Sequence, residues 1–280
     1  MLTAMSRLLA EAYQEGYAIA AFNTYNYVSL RAVFETASEL DSPVIVAFGE
    51  NVSHVMDLDS VVAVTRSLAE KYPIRYALHL DHAKSIPLIL QAIRAGFSSV
   101  MYDGSLESFE ENIHQTRSIV DVAHAVGVSV EAELGAVAAG DDTDEEDATE
   151  QLTDPALAAR FVELTKVDAL AVSVGTVHGM YRGEPKIDLN RLQEIRSQVD
   201  IPLVLHGGSG TPEVVLRRAI SLGVAKVNVN TEVSKAGVAE LQTTLMNNPG
   251  AHLSHLTMAV KDGMRPVLRR YMEMLTMKRA

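Results

Sequence analysis

The 280-residue chain predicts an eight-stranded (β/α)8, or TIM, barrel on three observations. Short apolar runs without strict alternation recur with helix-like segments between them, the pattern of a parallel sheet buried on both faces. Polar, chemistry-bearing residues cluster where those runs end, as they do at the carboxyl ends of barrel strands. No Gly-x-Gly-x-x-Gly turn follows the first strand, which disfavours the runner-up, a doubly wound open sheet. No repeat or linker divides the chain, so residues 1–280 read as one domain.

Residues 1–11 carry apolar positions at helical spacing broken by charges, unlike the long apolar centre of a secretory signal. The first strand is 17–23 and its helix 27–40; the second strand is 43–48, with a helix over 53–71. The third strand, 74–81, is followed by a helix over 86–95. A short fourth strand spans 98–103, and Ser105 is placed to cap the long helix that runs to about Ala125. Residues 128–133 are the fifth strand. The polar stretch 135–150, nearly all acidic over 141–147, has no apolar periodicity and reads as a mobile loop. Asp154 and Pro155 supply an N-cap and a first-turn proline. The sixth strand, Asp168 to Thr176, belongs to an apolar run from Ala169 that carries His178 at its end, a helix covers 189–199, and the seventh strand leads into His206. Thr211, Pro212 and Glu213 open the next helix, and 224–230 is the eighth strand.

A formal charge of -12 argues against nucleic acid or an anionic membrane surface as partner. No run of about 18 apolar residues offers a membrane span. With no cysteine there is no disulfide framework and no thiolate metal site, so a metal must be held by nitrogen and oxygen. A reducing cytoplasm is the expected compartment.

Three apolar runs end in histidine: His82 after Asp81, His178 before Gly179, and His206 before Gly207 and Gly208. One such histidine is usually bonded to a neighbouring loop. Three in one architectural position point to a metal, because three neutral imidazoles and an open position make a catalytic zinc site. His114 and His124 lie on a polar helical face and read as solvated, while His79, inside its strand, reads as structural or as support for a ligand. Gly207, Gly208, Ser209 and Gly210 form a glycine-rich turn at a helix start, and Asn228 to Thr231 repeat the arrangement one strand later. Tight turns alone would explain the glycines, but adjacent placement on strands seven and eight favours phosphate binding.

The ordered set His79-Leu80-Asp81-His82, Glu131-Ala132-Glu133-Leu134-Gly135, Val177-His178-Gly179, His206 to Gly210 and Asn228 to Glu232 resembles the motifs of class II, metal-dependent fructose- and tagatose-bisphosphate aldolases. The resemblance implies zinc on His82, His178 and His206, with Asp81 as catalytic acid/base. It implies dihydroxyacetone phosphate bound by Asn23, Gly179, Gly207, Gly208, Ser209, Asn228, Val229, Asn230 and Thr231. Asp103 and Glu133 match an alternative second metal position, and an additional monovalent cation is in keeping with the family. A phosphorylated sugar substrate and a homodimer or homotetramer are expected. Proton transfer from a ketose C4 hydroxyl to Asp81 with a Lewis acid at C2 makes chemical sense of the set. A Schiff-base mechanism needs a lysine; the sixth strand has none, and Lys226 on the eighth is discounted beside three histidines.

Three departures separate the chain from the family pattern. The usual Gly-Gly then Glu-Asp loop reads Ala138-Ala139-Gly140-Asp141-Asp142, making Asp141 the leading loop base and Glu145 its substitute. A small hydroxyl residue after strand two is replaced by Gly49, beside Glu50. An Asp-Pro-Arg segment before the last helix gives way to His252-Leu253-Ser254. The altered loop leaves open a phosphosugar-binding barrel without turnover, against which the intact Asp81 argues. A metal-dependent hydrolase would need a His-x-His pair after the first strand, where the chain has Phe22-Asn23-Thr24.

Overall fold

The structure is a computed structural model that describes residues 1–143 and 149–276. Ten strands and ten α-helices are present among the described residues. In chain order the strands are β1 (Ile19–Asn23), β2 (Val44–Gly49), β3 (Tyr76–Ala83), β4 (Ser99–Tyr102), β5 (Ser129–Leu134), β6 (Ala138–Ala139), β7 (Ala169–Val172), β8 (Val177–His178), β9 (Leu203–Leu205) and β10 (Val224–Val229). The helices are α1 (Met5–Glu15), α2 (Tyr27–Leu40), α3 (Leu58–Lys71), α4 (Ile86–Ala95), α5 (Phe109–Ala125), α6 (Pro155–Thr165), α7 (Leu189–Gln198), α8 (Glu213–Ser221), α9 (Thr231–Asn247) and α10 (Leu253–Leu275). Eight strands close a parallel barrel in the order β1-β10-β9-β7-β5-β4-β3-β2, as the alternation of elements predicts.

The barrel interior has two chemical layers. At the amino-terminal end Ile19, Ala21, Ile45, Ala77, Ala169, Ala171, Val204 and Ala225 pack against the buried face of α1, Met5, Leu8, Leu9 and Ala12. The opening amphipathic helix therefore plugs the barrel floor with its apolar stripe. Toward the carboxyl end the inward positions turn polar: His79 and Asp81 on β3, Glu131 and Glu133 on β5, and Lys226 and Asn228 on β10 are all buried. The outward Val and Leu side chains of the same strands pack under the helices in the main core. Period-2 alternation thus separates an apolar outer layer from an interior that is apolar below and charged above.

Three expectations are corrected. The sixth strand is not continuous to His178: β7 ends at Val172, and β8 pairs instead with β6 above the barrel, Ala138 opposite Val177 and Ala139 opposite His178. Gly175, at φ 98°, breaks the run, because an added Cβ there would lie 2.3 Å from the Lys186 carbonyl. Ser105 does not cap α5. Ser108 does, accepting from the Glu111 N–H, while the Ser105 hydroxyl donates to Asp103 at 2.6 Å. The helix expected from residue 53 starts at Leu58, with Asp57 as its N-cap, behind a 3-10 turn at Glu50–Val52.

Candidate active site

Asp81 and His82 are adjacent on β3, yet both face one pocket at the carboxyl end of the barrel. In a regular strand consecutive side chains point to opposite faces. Here the pairing of β3 with β4 shifts register between Leu80 and Ala83, and His82 adopts a left-handed φ of 47°. The irregularity re-aims the imidazole to the side where Asp81 already points, a use of bulges common at active sites.

Asp81 is 1 % exposed and held on both oxygens. Asn23 Nδ2 donates to Oδ2 at 3.0 Å, and Asn228 Nδ2 donates to Oδ1 at 3.2 Å. His79 Nε2 stands 3.5 Å from Oδ1 and Lys226 Nζ 4.0 Å. Burial pushes the carboxyl pKa up, but His82, His79 and Lys226 outweigh it and hold the group well below the usual carboxylate range. Asp81 is therefore an ionised, aimed base.

The ligand-capable nitrogens of His82, His178 and His206 lie within 4.8 Å of one another. His82 Nδ1 faces Asp103 Oδ2 at 3.1 Å, and His206 Nε2 faces Glu131 Oε1 at 2.9 Å. With a proton on each of those nitrogens, His82 Nε2 and His206 Nδ1 present lone pairs to each other at 2.8 Å. His178 Nε2 is buried with no hydrogen-bond partner among the described residues. Burial and the neighbouring imidazoles lower the pKa of His178 well below the ordinary value. Burial, with His82, lowers that of His206 to about 4. Two neutral imidazoles, His178 and His206, converging with His82 on one point fit a divalent metal of the zinc type.

A second set, His82, Asp103 and Glu133, also has donors within that span. Burial and the nearby Asp103 raise the Glu133 pKa well above the ordinary carboxylate value, and its Oε2 has no hydrogen-bond partner among the described residues. A cation beside it would offset that cost.

Asn23, Gly179, Gly207, Ser209, Asn228, Asn230 and Thr231 all line the same pocket. Gly207, at φ 69°, packs its Cα against the Val177 carbonyl, which an added Cβ would approach to 2.2 Å. The amino terminus of α9, 17 residues long, opens on the pocket, and Ser209 Oγ accepts the Glu232 N–H at 3.3 Å. Gly208 and Val229 do not line it: the Gly208 N–H bonds the Asn228 carbonyl, and the Val229 side chain is buried in the outer core.

Asp141 does not line the pocket either. It is exposed, its carboxylate accepts from Arg182 Nε at 2.7 Å, and its backbone pairs with Met180. Thr143 of the same loop does line the pocket, while Glu145 lies outside the described residues. The Glu50 carboxylate accepts the N–H groups of Lys84 and Ser85 at 2.6 and 3.1 Å and props the turn after β3. His252 caps α10 by accepting the Ser254 N–H. His79 is buried, bonded through Nδ1 to Ser99 Oγ at 2.8 Å; the exposed His124 pairs with Asp168.

Sequence reasoning missed two supports of the site. Glu131 and Lys226 are fully buried beneath it and ion-paired. At the anion turn, Glu232 accepts the Gly210 N–H at 3.0 Å and is held by Arg270 and the Tyr271 hydroxyl, which also reaches the Gly208 carbonyl at 3.2 Å. Glu131 lay in a quoted motif and Lys226 in the eighth strand, each a charge inside an apolar run, though nothing in the sequence pairs them; the second support depends on how α10 folds back.

Fold and site together define a (β/α)8-barrel protein with an ionised carboxylate beside a three-imidazole centre and an anion-binding turn. Residues 3–279 match the family model described as "Fructose-bisphosphate aldolase class-II". Among solved structures, the YdjI aldolase from Escherichia coli K12 is 33% identical at a TM-score of 0.86, over 98% of this chain and 97% of that one. Fructose-bisphosphate aldolase from Campylobacter jejuni is 27% identical at a TM-score of 0.82, over 97% and 93%. The chain belongs to the class II fructose-bisphosphate aldolase family, and its activity class is that of an aldolase. No helix among the described residues is long and apolar enough to cross a membrane.

Proposed function

We propose that the protein is a zinc-dependent aldolase that reversibly cleaves a ketose 1-phosphate, or a ketose 1,6-bisphosphate, to dihydroxyacetone phosphate and an aldehyde. The observation that carries this reading is the convergence of ionised Asp81 with the imidazoles of His82, His178 and His206 at the barrel mouth. Zinc on those imidazoles supplies a Lewis acid for charge that develops at the substrate carbonyl. Asp81, aimed by the amides of Asn23 and Asn228, takes the C4 hydroxyl proton in cleavage and returns it in condensation. Gly179, Gly207, Ser209, Asn228, Asn230 and Thr231 bind the 1-phosphate, helped by the amino terminus of α9. His82, Asp103 and Glu133 form an alternative metal position.

The proton that completes dihydroxyacetone phosphate at C3 comes, in this proposal, from the loop after β5, with Asp141 as donor and Glu145 as substitute. Asp141→Ala and Glu145→Ala are to be followed separately by proton exchange at C3; two normal rates reject the loop. A cytoplasmic homodimer or homotetramer belongs to the same reading and is checked by cell fractionation and light scattering.

The deciding experiment is metal analysis coupled to aldol cleavage of a ketose 1-phosphate panel, with and without chelator. About one zinc per chain and chelator-sensitive cleavage are expected. Metal-free protein with full activity ends the assignment.

A further inference from the structure

Lys226 is the largest buried charge that the proposed chemistry leaves unused, fully enclosed in the upper barrel interior. Its Nζ lies 2.9 Å from Glu131 Oε1 and 2.8 Å from Oε2, and no part of it lines the pocket. A buried ion pair seldom stabilises a fold more than apolar residues of similar volume would. Its placement therefore calls for another account.

That account lies in what Glu131 touches next. The same Oε1 meets His206 Nε2 at 2.9 Å, and the far nitrogen of that ring, Nδ1, faces His82 Nε2 at 2.8 Å. A neutral imidazole carries its proton on one nitrogen only, and a carboxylate can accept but not donate. A Glu131 carboxylate fixed by an ammonium thus draws the His206 proton to Nε2.

We propose that Lys226 and Glu131 are positioning residues for the metal centre: Lys226 grips the Glu131 carboxylate, which accepts the His206 Nε2–H and turns the Nδ1 lone pair toward His82 and His178. The inference rests on the metal reading above. It also places Lys226 away from Schiff-base chemistry, since its ammonium is engaged beneath Asp81 rather than in the pocket. Asp103 does the same for His82 from the opposite side, accepting at Nδ1 at 3.1 Å. A partner that orients a ligand imidazole typically changes metal affinity by about 10- to 100-fold when removed.

The test uses the full-length protein and two variants, Glu131→Gln and the charge-free Glu131→Gln/Lys226→Met, with thermal melts confirming that each is folded. In Glu131→Gln the carboxamide oxygen can still accept from Lys226, leaving the NH2 to donate to His206 Nε2. Ring nitrogen NMR on histidine-labelled, metal-stripped protein should show the His206 proton on Nε2 in the parent and on Nδ1 in Glu131→Gln. Zinc affinity, measured by chelator competition, should fall about 10- to 100-fold in Glu131→Gln. An unchanged tautomer and unchanged zinc affinity in both folded variants overturn the proposal. A parent that binds no zinc overturns the metal reading instead, and the tautomer measurement still decides the hydrogen-bond chain. Should Glu131→Gln fail to fold, the double variant carries the same readouts, with loss of the fixed Nε2–H form expected and its retention contrary.

Discussion

His206 is a buried imidazole whose pKa falls from 6.5 to about 4, through burial and then the neighbouring His82. An unfolded chain binds a proton at this residue below about pH 6.5 while the native state does not, so stability is highest above that value and is lost as pH falls toward 4. The shift corresponds to roughly 3 kcal/mol for the metal-stripped protein. Glu133 acts with the opposite sign, because its raised pKa favours the native state at low pH. The difference in melting temperature between parent and His206→Gln, scanned from pH 7 to 4, isolates the His206 contribution; a difference that does not change with pH contradicts it. His178→Ala should lose zinc and activity together while keeping the fold. Asp81→Ala should keep zinc and lose about a hundredfold or more in rate; unchanged turnover would reduce Asp81 to a structural role. The three histidines were legible in the sequence because each ends an apolar run, and glycine follows two of them directly. The left-handed backbone at His82 was not, since a bulge between β3 and β4 leaves no mark in a string of apolar residues. Nor was the pairing of Lys226 with Glu131, which are 95 residues apart and meet only when the barrel closes.

Elements that depend on local chemistry were read closely. Tyr27–Leu40 and Ile86–Ala95 coincide with expectation because Asn26 and Ser85 cap them and a left-handed residue, Asp41 or Gly96, ends each. Elements that depend on a distant partner were not. The run from Ala169 to His178 looks continuous, but only its first part has barrel neighbours, and its end pairs with two alanines of the loop after β5. That pairing seats His178 over the barrel mouth. The α9–α10 hairpin is likewise a tertiary feature: Gly237 and Gly263 let the helices approach, and an added Cβ at Gly263 would stand 2.6 Å from the Ala236 carbonyl. Gly263→Ala is therefore expected to destabilise by about 1–3 kcal/mol, since backbone must move to admit the methyl group. Because α10 also holds Glu232 and Gly208 through Tyr271, the same variant should weaken phosphate binding as well as lower the denaturation midpoint. A midpoint equal to the parent's would show that the hairpin opens at little cost.

At the scale of the whole molecule, a parallel barrel with an apolar floor and a charged upper interior sets one open mouth, and a net charge of -12 surrounds it. An anionic substrate must be gripped by local donors against that field. Donors are present for one phosphate, at Gly207, Ser209 and the amino terminus of α9. For a second phosphate the resembling aldolases use a hydroxyl after strand two and an arginine before the last helix, where this chain has Gly49 and His252 to Ser254. Glu50, the neighbouring charge, is committed to the turn after β3 and supplies no donor. Hydrogen bonds to a charged group contribute about 1.5–3 kcal/mol each, so loss of two costs at least about tenfold in affinity for a distal phosphate. The enzyme is therefore expected to prefer a ketose 1-phosphate whose aldehyde half carries no phosphate. The comparison is kcat/KM for fructose 1,6-bisphosphate and tagatose 1,6-bisphosphate against longer or acidic ketose 1-phosphates, at low and high salt. A preference for the monophosphate that narrows with salt locates part of the discrimination in the overall field, whereas one that salt does not change assigns it to the missing donors. A bisphosphate preferred by tenfold or more sinks the expectation and turns attention to His252, His255, Arg182 or a neighbouring subunit as the replacement grip.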